Sequence, residues 1–377
     1  MAPVDAITRT LQSTSLILIT AALLGGCKDE SPTAADAGAP DAGPPRFEDL
    51  KPGINTIKPG APTICSRGSE YAYFVIPGAR DKVIIEFEGG GACWDQATCG
   101  FAGSLFKETV DVAKHTTDLA VAGTWYDHAN PAHPMKDWTH VFVPYCTGDI
   151  HWGDNVKTYP GANPTDMPVT INHKGAVNAG AVLDWVYTQF PSPQKVFVTG
   201  CSAGGYGSIF WAPQVQKHYA ASKVYHFSDS AAGVITDDFF QKSFPSWNVE
   251  PHFPTFVAPF ASVTSLTIMY KAIAAYYPSN VYSQFNTNLD ANQTFYYMAM
   301  GGKDAQDWSA HMKASIKEIQ GAAPNFRAFL ATGEQHCILP QKNFFDAEAG
   351  GTKLTDWLSK MVNDQPIDNT YCPDCKP

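Results

Sequence analysis

Short apolar runs alternate with segments of helical periodicity along this chain, and the runs predict strands that are covered on both faces. The first three lie at residues 71–76, 83–87 and 140–144. The same pattern predicts further strands at residues 195–199, 224–228, 294–300 and 326–331.

Two helices are predicted between these strands. Residues 172–190 carry apolar side chains at helical spacing, and Pro191 ends the pattern. A second helix is expected over residues 207–219. Alternating strands and helices indicate an α/β fold with a mostly parallel central sheet and helices on both faces. Ligands of such sheets bind beyond the carboxyl ends of the strands, so candidate chemistry is sought there.

The N-terminus has the pattern of a processing segment. The apolar stretch 16–24 is too short to span a bilayer, and small residues follow it up to Cys27. Residues 1–26 therefore resemble a bacterial lipoprotein signal, with Cys27 as the lipidated residue; the alternative is a secretory signal in which Cys27 is incidental. We expect an exported protein whose contact with a membrane is made only through Cys27.

Composition divides the remainder into a tether and one domain. Residues 27–46 are rich in Ala, Pro, Asp and Gly without apolar periodicity and predict a flexible tether. Residues 47–377 show no second linker and predict a single catalytic domain, which we expect to be monomeric. With 26 Lys plus Arg, 36 Asp plus Glu and no basic run, nucleic acid is not expected as a partner.

The cysteine count favours disulfides over a metal site. Nine cysteines less Cys27 leave eight, an even number in an exported chain. Cys372 and Cys375 lack a second pair at the spacing of zinc ligands, and their role stays open. No metal or organic cofactor is expected.

Gly200-Cys201-Ser202-Ala203-Gly204 has the pattern G-x-S-x-G between a predicted strand and a predicted helix. A sharp turn in this context lifts a serine hydroxyl out of the sheet as a nucleophile. The alternative is a simple glycine turn. The context favours Ser202 as a nucleophile.

A glycine-rich loop follows the strand at residues 83–87. Attack on an ester places negative charge on the carbonyl oxygen, which backbone N–H groups stabilise. The N–H of Ala203, after the nucleophile, and an N–H from this loop, at Gly90 or Gly91, suit an oxyanion hole. A flexible loop without this role is the alternative.

His336 follows the last predicted strand and is the candidate general base. Two carboxylates satisfy the chain order Ser, Asp, His: Asp304 and Asp229. Asp229 follows the predicted strand 224–228, and Asp304 follows the predicted strand 294–300. Asp304 is favoured because its strand is the next one before the strand that precedes His336, and Asp229 is the alternative. Other histidines are expected to face solvent (His115, His128, His133, His218 and His311) or to be packed in a strand (His226).

Cysteines adjoin both the candidate nucleophile and the candidate base. If Ser202 and His336 meet, Cys201 and Cys337 come close enough to form a disulfide in an oxidising compartment. Two buried free cysteines are the alternative. The Cys-Ser and His-Cys arrangement is similar to that of tannase-like and feruloyl esterases.

Several motifs together resemble the pectin acetylesterase and Notum family of serine carboxylesterases. They span nearly the whole predicted domain and are CSRGS at 65–69, EGGGACW at 88–94 with Cys99, PYC at 144–146 with Asp149 and Trp152, GCSAGG at 200–205, FSDSAAG at 227–233, and Asp304-Ala305-Gln306 before His336. The resemblance implies an α/β-hydrolase fold and a triad of Ser202, Asp304 and His336. Asp229 and Ser230 would then belong to a pocket or scaffold.

The resemblance also implies two further disulfides, Cys65–Cys146 and Cys93–Cys99. The sequence departs from the animal branch at Gly91, where a bulky aromatic residue can follow the glycine pair, and in its smaller number of cysteines. These departures argue against a long-acyl substrate.

The sequence therefore predicts a serine esterase that hydrolyses short acyl, chiefly acetyl, esters of a polysaccharide such as pectin. Lipid, aromatic-acid and polyester esterases would use the same triad. A non-catalytic surface lipoprotein that binds glycan in the same cleft is the alternative from another class.

Overall fold

The computed structural model describes residues 43–100, 105–161, 163, 165 and 167–377. The predicted signal segment, Cys27 and most of the predicted tether lie outside the described residues. Residues Gly43–Pro377 form one compact unit. Within the described ranges, no helix has the length and apolar character that crossing a bilayer requires.

A nine-stranded sheet lies at the centre of this unit. The strands of the chain are β1 (Asn55–Ile57), β2 (Tyr73–Ile76), β3 (Ala79–Phe87), β4 (Trp138–Val143), β5 (Asn155–Tyr159), β6 (Val169–His173), β7 (Lys195–Cys201), β8 (Lys223–Asp229), β9 (Val281–Thr287), β10 (Phe326–Ala331), β11 (Glu348–Ala349), β12 (Thr352–Lys353) and β13 (Thr370–Tyr371). The spatial order of the central sheet is β1-β2-β4-β3-β7-β8-β9-β10-β13. All neighbours from β4 to β13 are parallel, whereas β2 runs antiparallel to both β1 and β4.

Helices cover the sheet and contribute to the edge of the site. They are α1 (Gln96–Gly100), α2 (Val112–Asp118), α3 (Gly175–Gln189), α4 (Ala203–His218), α5 (Asp237–Lys242), α6 (Leu266–Tyr276), α7 (Ala291–Ala299), α8 (Ala305–Ala322) and α9 (Leu354–Val362). The pairs β5/β6 and β11/β12 form small separate sheets.

Both faces of the sheet are buried, as the apolar runs predict. Along β7, Val196 and Val198 pack into the cluster that contains α3, α4, α6 and α8, whereas Phe197 packs into the cluster that contains α9. Because successive side chains of a strand point to opposite faces, this division shows helices on either side of β7. The predicted α/β fold class is confirmed.

The prediction at residues 294–300 is wrong, because this stretch lies mostly in helix α7. Asp290 accepts hydrogen bonds from the backbone N–H groups of Asn292 and Gln293 at 3.0 and 2.9 Å and starts the helix. The strand itself is β9, which the sequence analysis missed. Strand β9 lacks the continuous apolar pattern of the other strands, because three of its buried residues are polar: Ser283, Gln284 and Asn286.

Candidate active site

The predicted turn around Ser202 is present between β7 and α4. Ser202 has φ 56° and ψ −123°, a strained conformation for a residue with a side chain. Its backbone N–H donates to the Asp229 carbonyl at 2.8 Å. A Cβ at Gly204 would overlap with the Phe87 carbonyl, so the motif's last glycine lets α4 start directly against β3.

The glycine-rich loop after β3 lies beside this turn. A Cβ at Gly89 would collide with the Cys201 carbonyl, and Gly91 has φ 77°, which favours glycine. His151, which the sequence analysis did not consider, donates from Nε2 to the Glu88 carbonyl at 2.8 Å and fixes the start of the loop. The backbone N–H groups of Gly90, Gly91 and Ala203 donate to no acceptor among the described residues.

Asp290 is the carboxylate that contacts His336. The imidazole Nδ1 lies 2.9 Å from both carboxylate oxygens of Asp290, whose side chain is fully buried. Gln293 also donates to this carboxylate from its side-chain amide at 3.0 Å. These bonds fix the orientation of the Asp290 carboxylate, and His336 also lines the cavity that contains Ser202.

The structure does not place Asp304, the predicted acid, against His336. Asp304 starts helix α8, where its carboxylate accepts the Asp307 N–H at 2.9 Å, and its side chain is 48% exposed beside Lys303. It makes no contact with His336 among the described hydrogen bonds. The sequence contained a comparable signal at Asp290, which also has a glutamine shortly after it, at Gln293.

Asp229, the alternative acid, holds the loop that carries His336. Its carboxylate accepts the backbone N–H groups of Ile338 and Leu339 at 2.7 and 2.9 Å. Burial raises the pKa of Asp229 to about 7, although these bonds act to lower it. Ser230 accepts the N–H of Cys337 at 2.9 Å. The Asp-Ser pair therefore holds the loop after His336 by hydrogen bonds, and Ser230 also lines the cavity beside Ser202.

All three predicted disulfides are present, and a fourth joins the open pair. Cys201–Cys337 connects the residue before Ser202 to the residue after His336 across 136 positions. The others are Cys65–Cys146, Cys93–Cys99 and Cys372–Cys375. The Cys201–Cys337 bridge therefore links covalently the two loops that carry the candidate nucleophile and the candidate base.

Two groups of side chains have the proximity of metal ligands. They are Cys93, Cys99 and His173, and Cys201, His336 and Cys337. In each group both sulfurs belong to one disulfide, and a metal requires the thiolate form. His173 also uses both ring nitrogens, with Thr147 and Tyr159. Neither group offers a metal site in the oxidised protein.

Some histidines differ from the prediction. His115 and His133 are buried rather than solvent-facing, and His128 is half-buried. His115 donates from Nε2 to the Glu88 carboxylate at 3.0 Å and stacks on Phe74 at 5.3 Å between ring centroids. His218 and His311 are exposed and His226 is buried in β8, as predicted.

Two chambers meet at Ser202 and His336. The narrow chamber has a volume of about 70 Å³ and aromatic walls that include Trp94, Phe239 and Trp308. The wide cleft has a volume of about 850 Å³, and its lining combines apolar residues with charged ones such as Glu88, Lys107 and Asp111. Gly91, Asn292 and Tyr296 line both chambers together with Ser202 and His336. An ester with its carbonyl carbon at Ser202 could place its acyl part in one chamber and its alcohol part in the other.

The chain has recognisable sequence similarity to known proteins. A family model described as Pectinacetylesterase matches residues 52–296, which include Ser202 and Asp290. Pectin acetylesterase 11 of Arabidopsis thaliana is 26% identical over 235 residues, which cover 60% of this chain and 57% of that relative. Pectin acetylesterase 7 of the same plant is 27% identical over 150 residues, covering 39% of this chain and 36% of the relative.

The chain thus spans 57% and 36% of the length of these two curated relatives. The family model, in contrast, covers well over half of the chain itself. This chain belongs to the pectinacetylesterase family.

Proposed function

We propose that this protein is a serine esterase that removes short acyl groups, chiefly acetyl, from a polysaccharide. The observation that carries the proposal is the joint position of Ser202 and His336 at the meeting point of two chambers, with Asp290 behind the imidazole. The names of the relatives and the family model support an acetyl ester of a pectin-like polysaccharide as the substrate.

In the proposed reaction, His336 takes the proton of the Ser202 hydroxyl as this oxygen attacks the ester carbonyl carbon. Asp290 accepts the Nδ1–H of His336, which sets the tautomer and stabilises the imidazolium that forms. The N–H of Ala203 and those of Gly90 or Gly91 stabilise the oxyanion. His336 then protonates the leaving alcohol, and a water molecule attacks the acyl-serine by the same route.

The narrow chamber favours a short acyl group. A cavity needs roughly 10–15 Å³ to hold one water-sized group, so a chamber of about 70 Å³ holds on the order of five such groups. An acetyl group fits, whereas a fatty acyl chain does not. The aromatic walls would exclude bulk water from around the acyl group and strengthen the electrostatic interactions at the reacting atoms.

A series of 4-nitrophenyl esters of increasing acyl length tests the proposal. We expect turnover to be highest with acetyl, to fall steeply beyond short chains, and to be lost in Ser202→Ala. Ser208→Ala is a matched control, because Ser208 is a buried serine of α4, the helix that begins directly after Ser202, and it lines neither chamber. Equal rates for wild type and Ser202→Ala would reject the enzyme and favour the glycan-binding alternative.

We also propose export and lipid anchoring through Cys27. The four disulfides support this, because they persist in oxidising compartments. Cells fed a labelled fatty acid should label the wild type but not Cys27→Ala. Equal labelling of the two proteins, or label on neither, would contradict the anchor.

A further inference from the structure

We infer that Tyr296 is a positioning residue that keeps the backbone N–H of Gly91 directed at the oxyanion. Tyr296 acts through residues 105–107, a short segment beside the glycine-rich loop. This role rests on the proposed function, because it concerns the oxyanion hole of the same site. It goes further in giving a task to a side chain that belongs neither to the candidate triad nor to the hole.

Segment 105–107 pairs with the glycine-rich loop. Gly91 and Phe106 form an antiparallel bridge, and the Lys107 N–H donates to the Gly90 carbonyl at 2.8 Å. Phe106 is only 3% exposed, which anchors the segment in the core. The position of the loop therefore depends on where this segment lies.

The bond from Lys107 to Gly90 sets the direction of the Gly91 N–H. The Gly90 carbonyl and the Gly91 N–H belong to one trans peptide group, in which the two bonds point in opposite directions. Because the carbonyl faces segment 105–107, the N–H faces away from it. Gly91 lines both chambers together with Ser202, and its N–H donates to no acceptor among the described residues. This N–H is therefore available to an oxyanion formed at Ser202.

The hydroxyl of Tyr296 holds the other end of the segment by donating a hydrogen bond to the Leu105 carbonyl. Burial raises the pKa of Tyr296, although the backbone of Ala92 acts to lower it, so the hydroxyl keeps its proton and stays a donor. Helix α7, which carries Tyr296, begins at Asp290, the partner of His336. One side chain thus connects the helix behind the imidazole to the segment that orients the loop.

The missing side chain at Gly91 makes room for this bond. A Cβ at Gly91 would overlap with the Leu105 carbonyl and with the Tyr296 hydroxyl, and the φ of 77° also favours glycine. The hydroxyl therefore lies next to the loop, although its proton goes to Leu105.

Loss of the hydroxyl should weaken the stabilisation of the oxyanion and leave the binding of the ester unchanged. Without the bond to Leu105, segment 105–107 is less restrained and the Gly91 N–H loses its alignment. An oxyanion forms in both acylation and deacylation, so kcat should fall whichever step limits it. Tyr296→Phe keeps the aromatic ring, and with it the walls of the two chambers.

The test compares hydrolysis of 4-nitrophenyl acetate by the full-length wild type and by Tyr296→Phe. We expect kcat to fall roughly three- to tenfold, the scale of one neutral hydrogen bond, and KM to change less than about twofold. An unchanged kcat, or a change confined to KM, would overturn the inference.

Tyr297→Phe is the matched control. Tyr297 is the next residue of α7, its hydroxyl donates to Asp307 at 2.5 Å, and it lines neither chamber. This variant loses one tyrosine hydroxyl bond of the same helix and should have the kcat of the wild type. A loss equal to that of Tyr296→Phe would contradict a specific role for Tyr296.

A second measurement separates positioning of the N–H from a merely structural role. A methyl trifluoromethyl ketone forms a hemiketal with the serine whose oxygen is negatively charged, so its inhibition constant reports on the oxyanion hole. This constant should rise in Tyr296→Phe by the factor by which kcat falls. The factor should also be the same for acetyl and butyryl esters. An unchanged inhibition constant, or a loss that depends on acyl length, would make Tyr296 only a wall of the acyl chamber and overturn the inference.

The outcomes distinguish this inference from the proposed function. No hydrolysis of 4-nitrophenyl acetate by the wild type would reject the enzyme, and the role of Tyr296 with it. Hydrolysis by the wild type with the same kcat and the same inhibition constant in Tyr296→Phe would reject only the role of Tyr296.

Discussion

At the scale of single residues, the aspartate that contacts His336 is decided by hydrogen bonds that no sequence pattern reveals. Asp290 and Asp304 both start a helix, and both have a glutamine within three positions. Only Asp290 is buried against His336. The Asp304 carboxylate is half-exposed and is used by its own helix.

Replacing the two aspartates separately tests this distinction. Asp290→Asn should lower kcat roughly 10³- to 10⁴-fold, because the amide favours the wrong tautomer of the imidazole. Asp304→Asn should retain turnover, because asparagine also caps helices well. Both are measured with 4-nitrophenyl acetate on proteins with the same circular dichroism spectrum. Loss of turnover in Asp304→Asn with retention in Asp290→Asn would restore the sequence-based assignment.

At the scale of elements, the ends of β7 and β8 hold the two loops of the site together. The Asp229 carbonyl accepts the Ser202 N–H, and the Asp229 carboxylate accepts two N–H groups of the loop after His336. The Cys201–Cys337 bridge joins the same two loops covalently. The geometry of the candidate triad therefore depends on residues that do not act on the substrate.

Removing the Asp229 carboxylate should destabilise the whole fold and reduce turnover. Asp229→Ala leaves the buried N–H groups of Ile338 and Leu339 without an acceptor, at a cost of about 2 to 5 kcal/mol in the free energy of unfolding. Urea denaturation measures this cost. Asp356→Ala, at an exposed helix position, is the control and should change little. An equal effect of the two substitutions would contradict the scaffold role.

Removing the bridge should loosen the same two loops. The double variant Cys201→Ser/Cys337→Ser should lose about 2 to 5 kcal/mol of stability, because a long loop is no longer closed in the unfolded chain. Its kcat should fall more than its KM rises, since the alignment of Ser202 with His336 is relaxed. The control is Cys372→Ser/Cys375→Ser, which removes a bridge of sequence separation 3 and should cost much less stability. Unchanged kcat in the first variant would show that backbone hydrogen bonds suffice.

At the scale of the whole molecule, the pH dependence of stability reports on the buried charges of the cleft. The pKa of Glu88 is lowered to about 2, below the ordinary value of 4.5, by Lys107 and His115 against the effect of burial. The folded state therefore favours the charged form. The resulting stabilisation is complete above about pH 4.5 and is lost as the pH falls towards 2.

Glu88→Gln should accordingly flatten the acid side of the stability profile. The difference in unfolding free energy between wild type and variant should shrink by about 3 kcal/mol between pH 7 and pH 2. Urea denaturation at a series of pH values measures it. Glu70→Gln, in an exposed pair with Lys58, is the control and should change by less than about 1 kcal/mol. A constant difference for Glu88→Gln across this range would contradict the ion-pair account.

The sequence by itself determined the α/β class, the turn at Ser202, the glycine-rich loop and the pairing of Cys201 with Cys337. These features are local, or follow from local signals: buried parallel strands are continuously apolar, a strand-to-helix turn needs glycines, and cysteines adjoining two catalytic positions must meet if those positions meet. Residues 326–331 illustrate this, because the predicted strand and β10 coincide.

Only the tertiary structure decided which aspartate faces His336, where β9 lies and how the cleft charges are paired. Strand β9 buries polar side chains whose partners come from distant parts of the chain, as with Ser283, which donates to the His226 carbonyl at 2.7 Å. A sequence pattern predicts that a polar residue is exposed, because its burial requires a hydrogen-bond partner and only the fold supplies that partner. For the same reason Asp290, which the sequence presents as one carboxylate among many, becomes the buried partner of the imidazole only when β9 and β10 lie side by side.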